Sequence, residues 1–282
     1  MLKRILVPLD TSEHTLAATR MAATLANREQ AVVPDPVTLV GLGLVDLDQI
    51  PSGRFADIVP RDQILAEAEA SVGKLIEEFR RNAGQQGVPD AQIETRQVSG
   101  SPFREIIRES VFCDLIVMGE RCSFPPVNTD YETMHSLYHE ASRPVIITER
   151  NFDGVDRVVM VMDGTAPASR MMYNYVHLDP FPRAEVVLSW SQQEEEQFGL
   201  TEYFQRVQDF LASYHITVRT RPVQGTVEEG IADVVNAEKA QVLALGIHRE
   251  HFLDRFRDPL NIRQNFAQRL LETMAASLFI VH

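Results

Sequence analysis

Cysteine and tryptophan are scarce in this chain: two of the first and one of the second in 282 residues. Two thiols cannot supply the disulfide framework of a small secreted scaffold, and so few fit a reducing compartment. Cys113 stands among apolar residues just before a strand pattern and reads as a small core filler; Cys122 falls in a loop, which leaves room for exposure. Positive charge is short as well, with 27 Lys plus Arg against 40 Asp plus Glu and a net charge of −13. That balance repels nucleic acid and anionic lipid at long range, and no basic run offsets it, so neither is an expected partner. Long apolar runs are missing. Only five apolar residues separate Met1-Leu2-Lys3-Arg4 from Asp10, too few for a signal-peptide core or a membrane span, and a soluble cytoplasmic protein is expected. The chain also lacks Gly-x-Ser-x-Gly, His-Glu-x-x-His and Walker A sequences, offers no catalytic dyad, and is not expected to be an enzyme.

What the chain does contain is a duplication. Ile5-Leu6-Val7-Pro8-Leu9-Asp10, Val98-Ser99-Gly100, Leu115-Ile116-Val117-Met118-Gly119 and Pro144-Val145-Ile146-Ile147 follow one another in the first half. The same marks return in order as Val158-Val159-Met160-Val161-Met162-Asp163, Val223-Gln224-Gly225, Val242-Leu243-Ala244-Leu245-Gly246 and Leu278-Phe279-Ile280-Val281. A period this long means two copies of a whole domain rather than a solenoid. Asn151, Asp153 and Gly154 repeat no part of the pattern, so the expected domains are 1–150 and 151–282. Each is long enough to bury its own core.

Within each copy, short Val/Ile/Leu runs alternate with segments of helical period, which suits parallel strands covered on both faces. In the first copy, strands are expected ending at Asp10, near 37–44, at 93–98, at 114–118 and at 145–148, with helices after Asp10 (capped by Thr11 or Ser12), at 61–86, 102–110 and 132–141. In the second, strands fall at 156–162, 185–190, 216–223, 241–245 and 278–281, and helices at 166–176, 198–214, 227–237 and 262–274. The alternation predicts an α/β fold of two tandem doubly wound, mainly parallel five-stranded sheets flanked by helices. Asp10 and Gly100 are 90 residues apart but Asp163 and Gly225 only 62, so the first copy holds an extra segment, placed at Asp46 to Arg61 around Pro51, Ser52, Gly53 and Pro60.

Ile5 to Asp10, Gly100-Ser101-Pro102 leading a helix, Asp114 to Gly119, and Ser142-Arg143-Pro144-Val145 closing the unit resemble the universal stress protein family, and the resemblance extends over both copies. It implies a Rossmann-like, adenine nucleotide alpha hydrolase-like fold. In family members that bind ATP, the end of strand one and a glycine loop after strand four line a crevice where strand order reverses. The loop runs Gly, two residues, Gly, nine residues, Gly, then Ser or Thr, because backbone amides must approach phosphate closely.

Against that pattern, Gly119 and Gly246 keep the first glycine, while Cys122 and Arg249 replace the second. Pro125 and Pro126 remove donors, and Tyr131-Glu132 and Gln264-Asn265 stand where Gly and a hydroxyl would be. No complete phosphate cradle remains. Asp10 and Asp163 match the strand-one acid that faces the nucleoside in ATP-binding relatives; as carboxylates at strand ends they equally suit capping of the next helix. Asp10, Gly119, Cys122, Asp163 and Gly246 therefore mark two nucleotide crevices, with ATP or AMP as the implied ligands and little to hold a triphosphate.

Other features have plainer readings. His135 and His139, beside Glu140, and His248 and His251, near Asp254, have metal-ligand spacing but no third ligand with a supporting shell, and no metal is expected. Gln192 to Gln197 reads as a solvated loop and first helical turn; Trp190 as core rim or crevice lining; Met171, Met172 and Tyr173 as core or interface. Ile64, Leu65, Ala68, Val72, Leu75, Ile76 and Phe79 give the acidic helix one buried face, while Phe55 and Ile58 in the preceding loop are free to touch a partner or cover the crevice.

The resemblance also implies pairing through the last strand of each domain, here Val145 to Thr148 with Leu278 to Val281, antiparallel, as a pseudo-dimer within one chain; a homodimer of whole chains stays compatible with it. The expected function is a stress-response binding or regulatory module, with an unknown protein partner or small ligand and without tight ATP binding. The alternatives are an adenine-nucleotide sensor with at most slow hydrolysis, resting on Asp10 and Gly119, and a scaffold with vestigial crevices.

Overall fold

The computed structural model describes residues 1–28, 36–50, 60–126, 137, 141–247, 270 and 273–282. They form two compact units. One runs β1 (Arg4–Leu9), α1 (His14–Ala26), β2 (Thr38–Asp46), α2 (Arg61–Gln85), β3 (Ile93–Gly100), α3 (Pro102–Ser110) and β4 (Leu115–Gly119). Its strands lie in the order β3-β2-β1-β4, all parallel. Ile5, Leu6, Val7 and Leu9 of β1 are fully buried, as are Leu115 to Val117 of β4, because helices cover both faces. On α2, Ala68, Val72 and Phe79 are buried, and Val72 and Ala68 join Val45 and Ile50 in one apolar cluster with Ile64, Leu65 and Ile76 against it.

The other unit contains β5 (Val145–Thr148), β6 (Arg157–Val161), α4 (Ala166–Leu178), β7 (Glu185–Ser189), α5 (Gln192–Phe198), α6 (Thr201–Ser213), β8 (Val218–Thr220), α7 (Val227–Glu238), β9 (Val242–Gly246) and β10 (Ser277–Val281). Strand order is β5-β10-β9-β6-β7-β8, parallel except for β5. Counted from the start of each copy, both sheets share the order three-two-one-four, and in each the chain reverses direction across the sheet beside its first strand. The strand closing the first copy, β5, sits in this second unit, where Val145, Ile146 and Ile147 lie opposite Ile280, Phe279 and Leu278 in the expected antiparallel pairing.

Some boundaries differ from expectation. The helix expected over 198–214 begins at Thr201 as α6, a separate helix α5 precedes it and ends at Gly199 in the left-handed conformation, and the strand expected over 216–223 is confined to Val218–Thr220. The N-cap position of α1 is Glu13, which makes no side-chain cap bond, but the Ser12 hydroxyl one residue earlier accepts from the His14 N–H (3.2 Å) and so satisfies the first amide of the helix.

A device that sequence reasoning missed appears in both copies. The Asp114 carboxylate accepts from the N–H groups of Lys3 (2.7 Å) and Arg4 (3.0 Å), while the Asp114 N–H donates to the Arg4 carbonyl (2.9 Å). Gln241 does the same with its side-chain carbonyl, accepting from Asp156 (3.0 Å) and Arg157 (2.9 Å) and donating its N–H to the Arg157 carbonyl (3.1 Å). One residue before each fourth strand thus satisfies the first amides of each first strand and sets their register. A carboxylate and an amide share an acceptor oxygen, so the role survives a change of residue.

Among the described residues no helix is long and apolar enough to cross a membrane. One group of ion pairs lies in the second unit. Arg157 donates to Glu185 (2.9 Å), Arg219 bridges Glu185 and Glu238, and Arg221 reaches Glu238. The Glu238 side chain is only 5% exposed, and the hydrogen bonds from Arg219 and Arg221 hold its carboxyl down to about 2. A carboxyl lowered in the folded state contributes stability above its unfolded pKa and loses it as pH falls toward the folded value. Glu238→Gln is therefore expected to cost about 2 kcal/mol at pH 7, discounted for the half-exposed arginines. The deficit should shrink below pH 4.5 and vanish near pH 2, as read by urea unfolding across that range.

Candidate functional site

In the first copy the crevice lies where β1 and β4 part, beside the start of α1. Asp10, immediately after β1, is 2% exposed, and one carboxylate oxygen accepts the Ser12 N–H two residues on. Thr15 closes the turn, its hydroxyl donating to the Asp10 carbonyl (3.0 Å) and accepting from the Asp10 N–H (3.3 Å). Burial pushes the Asp10 carboxyl upward, against the pull of its bonds from Ser12 and Thr15 and of nearby His14.

The chain leaving β4 then runs across the strand ends. The Arg121 carbonyl accepts from the Ser12 hydroxyl (3.2 Å), the Ser123 carbonyl accepts from the Thr11 N–H (2.8 Å) and hydroxyl (3.0 Å), and the Pro125 carbonyl accepts from the Asp46 N–H at the end of β2 (2.7 Å). Cys122, Ser123 and Phe124 are 3%, 7% and 1% exposed. The segment that departs from a glycine loop lies over the carboxyl ends of β1 and β2 and buries its own side chains there. Cys122 is accordingly buried rather than exposed, since the segment folds inward over the strands. Cys113 is buried too, and desolvation pushes its thiol up to about 11, as an inert core thiol requires.

Gly119 and Gly246 have a packing role in common. A Cβ on Gly119 would overlap the Cβ of His14 as α1 begins, and one on Gly246 would overlap the backbone of Pro167 and Ala168 as α4 begins. Glycine at each fourth-strand end lets the first helix of the copy start directly against the strand.

The second crevice is built differently. Asp163 is half-buried, and its carboxylate accepts from the Thr165 N–H (2.9 Å), repeating the Asp10 turn; the N-cap of α4 is Thr165, whose hydroxyl accepts from the Ala168 N–H. Trp190 follows β7, 7% exposed, its indole N–H donating to Glu195 (2.6 Å) and its ring stacked on Phe204 at 4.4 Å. Ser191 caps α5 by accepting from the Glu194 N–H (3.1 Å), so the acidic run, expected as a loop and a first helical turn, lies wholly within a helix, with Glu195 additionally locking the tryptophan. Tyr203 points its phenol toward the same corner, pushed upward by burial and by Asp163. Tyr203 was not singled out by sequence, since it looks like any aromatic on an amphipathic helix.

A separate pocket of about 250 Å³ lies at the opposite, amino end of β6, β9 and β10, lined by Glu149, Asn151, Asp153, Asp156, Gln241 and Ser277. Its polar groups largely bond one another: Asn151 to Glu149, the Glu149 N–H to Ser277, and Gln241 to Asp156. Phe55, Ile58, Tyr131, Glu132, His135, His139, Glu140, His248, Arg249, His251, Asp254, Gln264 and Asn265 lie outside the described residues. Among those described, no three His, Cys, Asp or Glu side chains are grouped to hold a metal.

A family model described as the universal stress protein family matches residues 1–147. No curated protein sequence matches the chain. Among solved structures, a universal stress protein from Archaeoglobus fulgidus DSM 4304 superposes with a TM-score of 0.67 at 15% identity, over 99% of this chain and 95% of that one. A putative universal stress protein from Pseudomonas aeruginosa UCBPP-PA14 gives 0.56 at 16%, over 99% and 93%. At these identities the two structures establish a common fold over the whole length.

The packing role of the glycines predicts that Gly119→Ala destabilises by about 1–3 kcal/mol and Gly246→Ala by more, because backbone yields less readily than a side chain. Denaturant unfolding of both variants checks this; neutral substitutions would refute the close contact.

Proposed function

The chain belongs to the universal stress protein family, and from that premise we propose that it is a non-catalytic binding or regulatory module of the stress response that does not hold ATP tightly. The observation that carries this reading is the first crevice, where residues 121–125 lie over the strand ends and Asp10 is 2% exposed. A nucleoside would have to displace Phe124 and Cys122 from the interior to reach that carboxylate, at a cost of about 2 kcal/mol for the phenyl ring returned to water and less for the thiol. Without a complete glycine cradle, little binding energy offsets it.

The two copies, 1–150 and 151–282, act on this reading as an intramolecular pseudo-dimer joined by β5 and β10, in the cytoplasm, with a protein or small ligand as partner. Pairing in one chain raises the local concentration of the two edges. A second reading, an adenine-nucleotide sensor using ATP or AMP, is favoured at the second copy alone. There Asp163 is half-buried, and Trp190 and Tyr203 stand near the strand ends.

Isothermal titration with ATP, AMP and adenosine, with and without Mg²⁺, separates the readings. No heat is expected; heat abolished by Asp163→Ala and untouched by Asp10→Ala would favour the second reading. Low-micromolar ATP binding lost in Asp10→Ala would overturn the proposal.

A further inference from the structure

His14 is a buried titratable group for which the fold so far gives no use. It opens α1, is 5% exposed, and its Nδ1 has no hydrogen-bond partner among the described residues. That nitrogen stands 3.6 Å from a carboxylate oxygen of Glu120, the first residue after β4, whose side chain is 24% exposed. On the other side the Asp10 carboxylate interacts with the imidazole electrostatically. Of the remaining charged groups nearby in sequence, Glu13 just before α1 and Arg121 on the covering segment are exposed.

We infer that His14 and Glu120 form a proton-operated latch on the segment that covers the first crevice. A neutral imidazole leaves Nδ1 and the Glu120 carboxylate either facing each other as two acceptors or joined by a single stretched contact. An imidazolium makes a charge-assisted bond after a shift of well under 1 Å. Glu120 is covalently the first residue of the covering segment, and Gly119 packs directly on His14. Protonation therefore draws residues 119–125 onto the strand ends, and loss of the proton at higher pH loosens them. Falling pH closes the crevice; rising pH opens it. The inference rests on the reading that this segment covers the site.

Cys122 is a reporter built into the segment, being 3% exposed. In a Cys113→Ser background it is the sole thiol of the chain. Its labelling rate with a small disulfide reagent would be followed from pH 5.5 to 8 in that parent and with Glu120→Gln or His14→Gln added. Taking each variant relative to the parent at the same pH removes the intrinsic titration of the thiol. The latch predicts that both variants label about fivefold faster than the parent at pH 5.5 and at the parent rate by pH 8. A ratio that is independent of pH would overturn the latch while leaving the covering segment in place. Labelling of the parent at the rate of the urea-unfolded chain at every pH would overturn the covering reading itself. The amide-for-acid change at Glu120 keeps shape, and a matching far-ultraviolet circular dichroism spectrum verifies that each variant is folded.

Discussion

Each copy turns on one close contact, where the first helix begins directly against the end of the fourth strand. At Gly119 the neighbour is His14, and at Gly246 it is the backbone of Pro167 and Ala168. A glycine is required at both, although the helix residues it meets are unrelated. Because the contact fixes where α1 and α4 start, it also fixes the turn that precedes them. Asp10 and Asp163 each close that turn on an N–H two residues along. The start of the fourth strand is anchored separately by Asp114 or Gln241, which hold the first strand in register. Between these two anchors the crevice is common to both copies, and what differs is what lies over it.

In the first copy that cover is the chain itself. Carbonyls of Arg121, Ser123 and Pro125 take up the polar groups offered by Ser12, Thr11 and Asp46, which a ligand would otherwise meet. Cys122 and Phe124 fill the space beneath. An unsatisfied buried amide costs about 1–3 kcal/mol, so exchanging these bonds for a ligand's must restore each of them. The Asp10 carboxyl, raised by burial, reflects the same exclusion of water. In the second copy the aromatic pair Trp190 and Phe204, tied down by Glu195, shapes the corner instead.

Strand and helix placement was legible because buried strands leave short Val/Ile/Leu runs, as at Leu115 to Val117 and Val145 to Ile147. The antiparallel pairing of β5 with β10 followed from the family resemblance rather than from any residue pattern. Less could be read at the crevice. A cysteine in a Pro-rich loop looks exposed until the loop's carbonyls are seen to bond the strand ends, and nothing local in Cys122-Ser123-Phe124 announces those partners. Asp114 and Gln241 share no side-chain class, so their common task is visible only as hydrogen bonds. Gly119 and Gly246 were read as remnants of a phosphate loop, whereas their neighbours supply a packing reason that holds with or without a ligand.

The Thr11 amide, which donates to the Ser123 carbonyl at 2.8 Å, is the most direct witness to whether the first crevice is covered. Its hydrogen exchange would be measured with and without saturating Mg-ATP. The account predicts slow exchange that nucleotide leaves unchanged. Rapid exchange in the free protein, or protection gained only when ATP is added, would contradict it.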